Sequence, residues 1–457
     1  MQTLKILAPC GILGYGFPEA SFARGMAMEP DAIIVDAGST DAGPHKLGAG
    51  VAIVSDAAMR RDLEIIIIAA ASAGIPVLIG SAGGSGGRVH VEHTIAIVRQ
   101  IIAARHLQDL PSAAVWADIP KDLIRRKQRE GRIGPLGRTV PELTEERLDK
   151  TVSVVAQMGH EPFERALRQG YRLIVGGRAY DPSPFAAFCA YRGFPLAYGY
   201  HIGKILECAA LCAVPGTTKD CMLGTVREDG FTVEPLSGQR SCTPLSVAAH
   251  TFYEKEHPYL LHGPGITMDL QDCRFTQLEG GKVLVTGSRL LQSVPYTVKL
   301  EGALPKAYRT FVIAGVRDPL MIAGLPQIEK EAEAQVRAYY QSIYPDGDYR
   351  IHFYHYGMDA VLGAAEPEKG LPHEVGLLFE VIAASQEQAD AVCASLRSTL
   401  LHYGYEGRRS TAGNLAFPFA PSDVSFGPVY EFSVYHLMAL EGREPVELFP
   451  VEPISWR

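Results

Sequence analysis

Residues 75–87 read IPVLIGSAGGSGG, an apolar strand-like run that ends in a glycine-rich turn. The same order occurs at 32–43 (AIIVDAGSTDAG) and at 172–183 (RLIVGGRAYDPS). In an open parallel α/β sheet, ligands bind beyond the carboxyl ends of the strands. If the three runs are neighbouring parallel strands, their turns meet at one edge of the sheet. We therefore expect one cleft there, to which five polar side chains contribute: Asp36, Asp41, Ser81, Arg178 and Asp181.

Strand-like and helix-like segments alternate through residues 1–225, which favours an α/β fold with a doubly wound, mostly parallel sheet. Strands are expected at 4–8, 32–36, 75–80, 113–117 and 172–176. Helices are expected at 55–73, 91–106, 143–158, 184–192 and 200–213. The first of these helices has the clearest boundaries, because Ser55 is a good N-cap residue and Gly74 a good C-cap residue.

The pattern changes beyond residue 222, where short runs of alternating apolar and polar residues are separated by turns. Such runs predict a mixed or antiparallel sheet with one face in water. Two helices are expected at 327–344 and 386–402, and the tail from 403 to 457 is expected to be rich in loops. We expect an α/β domain over 1–225 that carries the glycine-rich turns, followed by a mixed α+β C-terminal region over 226–457 that completes the cleft.

The composition of the 457-residue chain is that of an ordinary globular protein, with 47% hydrophobic and 21% charged residues. The net charge is −8 and no Lys/Arg-rich tract occurs, so nucleic acid is not an expected partner. The apolar stretch 65–79 is broken by Gly74 and Pro76 and is too short for a membrane span. Eight scattered cysteines without a CxxC pair, and an N-terminus without a signal-peptide pattern, favour a cytoplasmic location.

The turn at 80–87 is suited to an anion. Ser81, Gly83 and Gly84 are expected to present backbone N–H groups to a carboxylate or phosphate at the start of a helix. The glycine spacing matches neither the dinucleotide pattern GxGxxG nor the phosphate loop GxxxxGK[ST], so NAD and ATP are disfavoured as cofactors. The alternative is a tight turn that serves packing alone.

The other two turns carry further candidates for substrate binding. Four side chains of the turn at 36–43 are expected to hold substrate hydroxyls: Asp36, Ser39, Thr40 and Asp41. The alternative is that these side chains hydrogen-bond to their own backbone. Arg178 presents a planar guanidinium that suits a substrate carboxylate. Asp181, which precedes Pro182, either joins Arg178 in the site or caps the following helix.

A divalent metal is the one cofactor that the sequence leaves open. Asp36 and Asp41 could bind a hard cation, and His90 and His93 lie three residues apart, a spacing that allows two imidazoles to share one helix face. The alternative is that both histidines lie at the solvent edge.

The helix expected at 200–213 carries the candidates for proton transfer: His201, Lys204 and Glu207. Lys204 and Glu207 are the only charged residues between Arg192 and Lys219, and charges in such apolar surroundings are either paired or catalytic. Further along the chain, Lys299 and Glu301 share one face of an expected strand. They either reach the cleft or form an ordinary cross-strand ion pair.

Six segments in order along the chain resemble the acyclic terpene utilisation AtuA-type family. They are DAGSTD (36–41), GSAGG (80–84), GGRAYD (176–181), HIGKILEC (201–208), YTVKLEG (296–302) and GNLAFPFAPSD (413–423). The match is to a branch of the family with the DAGSTD turn. The resemblance implies a role in catabolism, since the family takes its name from the breakdown of branched, terpene-derived acids. It implies no agreed reaction and supplies no catalytic residue.

Taken together, these patterns favour a catabolic enzyme that acts on a small hydroxy- or polycarboxylic acid or its thioester, as a hydratase (a lyase) or an isomerase. Two alternatives remain: a non-catalytic subunit that binds a metabolite or serves assembly, and a metal-dependent hydrolase. The expected partners are a small acid substrate and further copies of the chain in a homo-oligomer, with room for a small partner subunit, but neither nucleic acid nor a membrane.

Overall fold

The computed structural model of the chain describes residues 2–38, 43–254, 256–409 and 411–456. Its contacts divide the chain into two compact units, one formed by Met1–Leu304 with Phe432–Arg457 and the other by Pro305–Glu431. This division differs from the boundary expected at residue 225, because the strands at 222–226 and 231–235 pair with the N-terminal sheet.

The secondary structure of the larger unit consists mainly of short strands and helices in alternation. Its strands are β1 (Leu4–Ala8), β2 (Ala32–Asp36), β3 (Val77–Gly80), β4 (Ser112–Val115), β5 (Ile133–Pro135), β6 (Ser153–Ala156), β7 (Leu173–Gly176), β8 (Met222–Val226), β9 (Phe231–Pro235), β10 (Leu260–Gly263), β11 (Ile266–Asp269), β12 (Arg274–Leu278), β13 (Lys282–Thr286), β14 (Arg289–Gln292) and β19 (Val451–Pro453). Its helices are α1 (Glu19–Ala27), α2 (Gly43–Ala49), α3 (Asp56–Ala73), α4 (Arg88–Arg105), α5 (Lys121–Arg129), α6 (Glu145–Lys150), α7 (Glu161–Arg168), α8 (Ser183–Tyr191), α9 (Leu196–Leu206), α10 (Pro244–Phe252) and α13 (Glu444–Glu447). Two long strands, β15 (Tyr296–Val316) and β18 (Asp423–Leu440), contribute residues to both units.

A ten-stranded sheet forms the centre of the larger unit, in the order β12-β13-β9-β8-β1-β2-β3-β7-β4-β19. The strands β1, β2, β3, β7 and β4 are parallel neighbours, whereas the strands on either side of them are antiparallel. Successive side chains of β2 enter two different core clusters, one shared with α3 and α4 and the other with α7 and α8. The sheet is therefore covered on both faces, and the expected doubly wound α/β fold is confirmed.

The register of the parallel strands aligns the ends of the three turns that the sequence singled out. Asp36 at the end of β2 pairs with Gly80 at the end of β3, and Gly176 at the end of β7 pairs with Val115 of β4. The turns that follow these strands consequently lie at one edge of the sheet, as expected.

The smaller unit consists of antiparallel strands covered by two helices. Its strands are β16 (Tyr349–Tyr356), β17 (Val375–Ala383), the second half of β15 and the first half of β18, in the sheet order β16-β17-β15-β18. The helices α11 (Pro319–Tyr340) and α12 (Gln386–His402) bury their apolar sides against this sheet. The bounds of α12 agree with the helix expected at 386–402, where Ser385 accepts a hydrogen bond from the N–H of Gln388 and so caps the helix.

Two expectations about secondary structure are wrong. The helix expected at 143–158 is a short helix, α6, followed by the strand β6, which pairs with β15. The β-branched run at 151–155 favours the extended conformation there. The tail expected to be loop-rich contains the long strand β18, in which apolar and aromatic residues alternate with polar ones. Within the residues that the structure describes, no helix is long and apolar enough to cross a membrane.

Candidate functional site

A cavity of about 470 Å³ lies at the carboxyl edge of the parallel strands. Gly11 and Ile12 after β1, Asp36 and Gly38 at the end of β2, and Asp181 after β7 contribute to its wall. Its acidic lining consists of Asp36, Asp181, Glu207 and Glu254. The strand ends thus contribute Asp36 and Asp181 to the cavity, and the ends of two helices contribute Glu207 and Glu254.

Asp36 is buried at the end of β2, with 3% of its surface exposed. Its Oδ2 accepts a hydrogen bond from the backbone N–H of Gly38 at 3.2 Å. Its Oδ1 is buried and has no hydrogen-bond partner within the described part of the chain. Burial raises the pKa of the Asp36 carboxyl well above its usual value, and the charges of Asp181 and Glu207 raise it further.

Glu207 directly follows α9 and lies opposite Lys204, one helical turn earlier. The Lys204 Nζ donates to Glu207 Oε1 at 2.7 Å and both side chains are buried. Burial raises the pKa of Glu207 to about 8, against the opposing effect of the Lys204 charge. The Glu207 Oε2 is buried and, among the described residues, no group hydrogen-bonds to it. In the Lys204–Glu207 pair, Oε2 of Glu207 is therefore the carboxylate oxygen that stays without a hydrogen bond among the described residues.

Arg178 is held by hydrogen bonds to residues of two turns and of the strand β15. Its Nε donates to Glu301 Oε2 at 2.9 Å, and its Nη1 donates to Asp181 Oδ1 and to Ser81 Oγ, both at 3.2 Å. Ser81 Oγ in turn accepts the backbone N–H of Ala179 at 3.2 Å. Arg178 is 1% exposed. Its charge is balanced inside the protein, by Glu301 and Asp181.

Glu301 belongs to β15 and completes this arrangement. Its Oε1 lies 2.6 Å from the Lys299 Nζ, so the carboxylate bridges Lys299 and Arg178. Burial alone would raise the pKa of Glu301, but the two cations outweigh it and lower the pKa to about 2. Lys299 and Glu301, which the sequence pointed to, thus form an ion pair, and Glu301 also contacts Arg178, which in turn contacts Asp181 of the cavity wall.

The glycine-rich turn is packed closely against the turn that carries Arg178. The backbone N–H groups of Ser81 and Ala82 donate to the carbonyls of Gly177 and Gly176, and the N–H of Arg178 donates to the carbonyl of Gly86. These amides are occupied by the protein itself. Gly83 and Gly84 have positive φ values of 67° and 106°, and side-chain contacts with His90 and Ile53 leave little room at either position. The contacts that the structure shows for this turn are thus packing contacts with its neighbours.

Substitution of Gly86 by alanine is expected to destabilise the protein by about 3 kcal/mol or more, from overpacking added to a left-handed backbone. The new Cβ would lie 2.1 Å from the backbone nitrogen of Arg178, and the φ of Gly86 is 61°. Gly131 provides the control, since its φ is 69° with no atom within 4 Å of an added Cβ. Urea unfolding of G86A and G131A should separate packing from backbone strain, and equal losses would contradict the packing argument.

The histidines that the sequence proposed lie outside the cavity wall. His201 is buried, with Nδ1 2.7 Å from Ser288 Oγ and Nε2 3.1 Å from Thr251 Oγ1, so both ring nitrogens are engaged by hydroxyls. His90 donates from Nε2 to the carbonyl of Lys46 at 3.1 Å, while His93 contacts Asp56 at 2.8 Å. The role of His201 in proton transfer and the roles of His90 and His93 in metal binding remain predictions.

Part of the expected substrate and metal site, namely Ser39, Thr40 and Asp41, lies outside the described residues. Within the ranges that the structure covers, no group of three or more His, Cys, Asp or Glu side chains is placed to hold a metal ion. Asp36 is therefore the one expected metal ligand that lines the cavity in the described chain.

Sequence reasoning missed several residues of the cavity wall. Tyr253 and Glu254 follow α10, and the Tyr253 hydroxyl lies 3.3 Å from Cys208 Sγ. The Lys204 ammonium lies 4.3 Å from the centre of the Tyr253 ring, where the cation is attracted by the aromatic face. No periodicity marks this loop in the sequence, so its approach to α9 follows from tertiary packing alone.

Comparison with known proteins gives one match. The model of a family described as "Acyclic terpene utilisation family protein AtuA" matches residues 56–416, which is more than half of the chain. No curated protein and no solved structure matches the chain significantly.

Proposed function

The chain belongs to the acyclic terpene utilisation AtuA family, and from this premise we propose that it is a catabolic enzyme that moves protons on a small hydroxy acid or its thioester. The reaction is the addition or removal of water, or an isomerisation, next to a carbonyl group. The cavity at the carboxyl edge of the sheet is its active site.

The observation that carries this proposal is the pair of buried carboxyls, Asp36 and Glu207. Each has a raised pKa and each keeps one oxygen without a partner among the described residues. Buried carboxyls that interact hold one proton while the other group is ionised over a range of pH. General acid–base catalysis needs such a pair, with pKa values near the working pH.

The two carboxyls take different roles in a dehydration. Ionised Asp36 accepts the proton from the carbon next to the carbonyl, and the electron pair of that C–H bond, whose charge the carbonyl oxygen shares, forms the new C=C bond as the C–O bond to the hydroxyl breaks. Glu207, whose pKa is about 8, gives its proton to the hydroxyl that departs as water. Asp36 ends with one proton more and Glu207 with one fewer, so the step balances, and hydration is its reverse.

The negative charge of the cavity affects which form of the substrate can bind. Four carboxyl side chains line it, and Arg178 is already paired with Glu301 and Asp181. A free carboxylate next to Asp36 would face like charges. The hydroxyl-bearing carbon and a neutral carbonyl, such as that of a thioester, suit the cavity better, and this favours a thioester over a free acid.

Deuterium exchange tests the proposal. The protein is incubated in D₂O with short 3-hydroxy acids, straight and methyl-branched, each as the free acid and as the N-acetylcysteamine thioester. We expect deuterium at the carbon next to the carbonyl, and we expect D36N to slow its incorporation by about 10²-fold or more. D118N is the matched control, because Asp118 also has a pKa raised by burial but does not line the cavity. Binding of these compounds without exchange would instead indicate a metabolite-binding subunit.

A further inference from the structure

A second cavity, of about 320 Å³, lies within the smaller unit and has no part in the proposed function. One side of it is formed by the end of β15 and the residues that follow this strand, and the other by parts of the segment 405–416, which follows α12. Sites for small molecules usually measure about 300–1,000 Å³. The cavity is therefore large enough for a small organic ligand.

Backbone and side-chain hydrogen bonds hold the two sides of this cavity together. The N–H of Gly315 donates to the carbonyl of Ala416 at 2.7 Å, and the N–H of Ala416 donates to the carbonyl of Gly315 at 2.9 Å. The side-chain amide of Asn414 donates to two carbonyls at the C-terminal end of α12, at 2.8 and 2.9 Å. Residues 413–416 begin the GNLAFPFAPSD segment that the sequence analysis singled out, so this segment helps to form a cavity wall.

Three arginines line the cavity, namely Arg317, Arg408 and Arg409, and none of them forms an ion pair with a described residue. Arg408 donates to three backbone carbonyls at 2.6–3.1 Å, so its charge is held in place without being neutralised. Arg317 and Arg409 are exposed and make no hydrogen bond within the described part of the chain. Their guanidinium groups are thus available to a ligand.

Asp318 is the one carboxylate that lines this cavity among the described residues. Its Oδ1 accepts hydrogen bonds from the N–H groups of Leu320 and Met321, at 2.9 and 3.0 Å, and so caps α11. Three positive charges and one negative charge give the cavity lining a net charge of +2, whereas the whole chain has a net charge of −8. The local excess of positive charge favours an anionic ligand.

We propose that this cavity binds a small phosphate-bearing molecule, whose phosphate group is held by Arg317 and Arg409. A guanidinium group can donate two parallel hydrogen bonds to a phosphate. At neutral pH a phosphate monoester carries about 1.5–2 negative charges and three acceptor oxygens, which suits this lining better than the single charge of a carboxylate. Leu415 and Ala416, which also line the cavity, offer apolar contacts to an organic part of the ligand. The inference does not depend on the proposed function.

Titration calorimetry of the full chain tests the proposal with inorganic phosphate, pyrophosphate and coenzyme A, and with acetate for comparison. We expect the phosphate compounds to bind, and R317M and R409M each to weaken that binding about tenfold or more. Both variants should keep the melting temperature of the ligand-free protein, since the two side chains are exposed. R350M is the matched control, because Arg350 is exposed in β16 of the same unit and does not line the cavity. We expect R350M to weaken binding less than about twofold.

The probes also distinguish the possible sources of the phosphate. Tighter binding of coenzyme A than of inorganic phosphate would support an organic phosphate as the ligand, whereas equal binding would support free phosphate. The proposal would be overturned if the wild type bound none of the phosphate compounds, or if it bound acetate as tightly as phosphate. An equal loss of binding in R350M would indicate a general effect of charge and would overturn it too. Because only binding is measured, a failure of the proposed reaction leaves this test unaffected.

Discussion

Replacement of Glu207 by glutamine is expected to lower turnover by about 10²–10⁴-fold, the usual contribution of a general acid or base. The fold should survive, because Glu207 already holds a proton below about pH 8 and the glutamine carbonyl oxygen can still accept from Lys204. Glu254 is the control: it lines the same cavity, but its side chain is 56% exposed and its Oε2 lies 3.6 Å from the Lys204 Nζ. We expect E254Q to change turnover much less. Steady-state rates and circular dichroism of the two variants provide the comparison.

The pH dependence of the turnover rate is a second test of the role of Glu207. Burial raises the pKa of Glu207 to about 8, so the carboxyl holds a proton below that pH and loses it above. As a general acid it is active in the protonated form, and the rate of dehydration should therefore fall as the pH rises through about 8. The rate of E207Q should not show this fall. If the rate of E207Q fell over the same pH range, another group would be responsible for the titration and Glu207 would not be the general acid.

The parallel part of the fold could be predicted because its signals are local. The apolar runs before Asp36, Gly80 and Gly176 are short, buried and followed by turn residues, and β2, β3 and β7 form there as neighbours. The carboxyl-edge rule then places their turns together without further information. The convergence of Asp36, Ser81, Arg178 and Asp181 is a consequence of topology.

The chemistry of the site depended on contacts that no local pattern contains. The sequence predicts Arg178 as an anion-binding group. In the structure, its charge is neutralised by Glu301, which lies 123 residues later in the chain. The pairing joins two segments that are unrelated in sequence, so only the fold reveals it.

Replacement of Arg178 by methionine is expected to destabilise the larger unit by about 3–5 kcal/mol, the usual loss when one member of a buried ion pair is removed. Glu301 would remain buried with Lys299 as its one remaining cation. Arg125 is the control, because it contacts three carboxylates, of Asp122, Glu145 and Asp149, at the surface. Exposed ion pairs contribute little, so R125M should cost much less despite its more numerous partners.

The double variant R178M/E301M decides whether Arg178 serves structure or substrate. Removal of both charges leaves neither Arg178 nor Glu301 as a buried ion without a partner, but Lys299, whose side chain is 14% exposed, loses the carboxylate with which it pairs. Stability should therefore recover part of what R178M loses. In the wild type the pKa of Glu301 falls from 4.5 to about 2 on folding, so the carboxylate stabilises the protein above pH 4.5 and the effect is lost as the pH falls toward 2. R178M should shift acid unfolding to higher pH, as followed by fluorescence. If R178M is instead stable and loses only affinity for the free acids, then Arg178 binds the substrate carboxylate and the thioester preference is wrong.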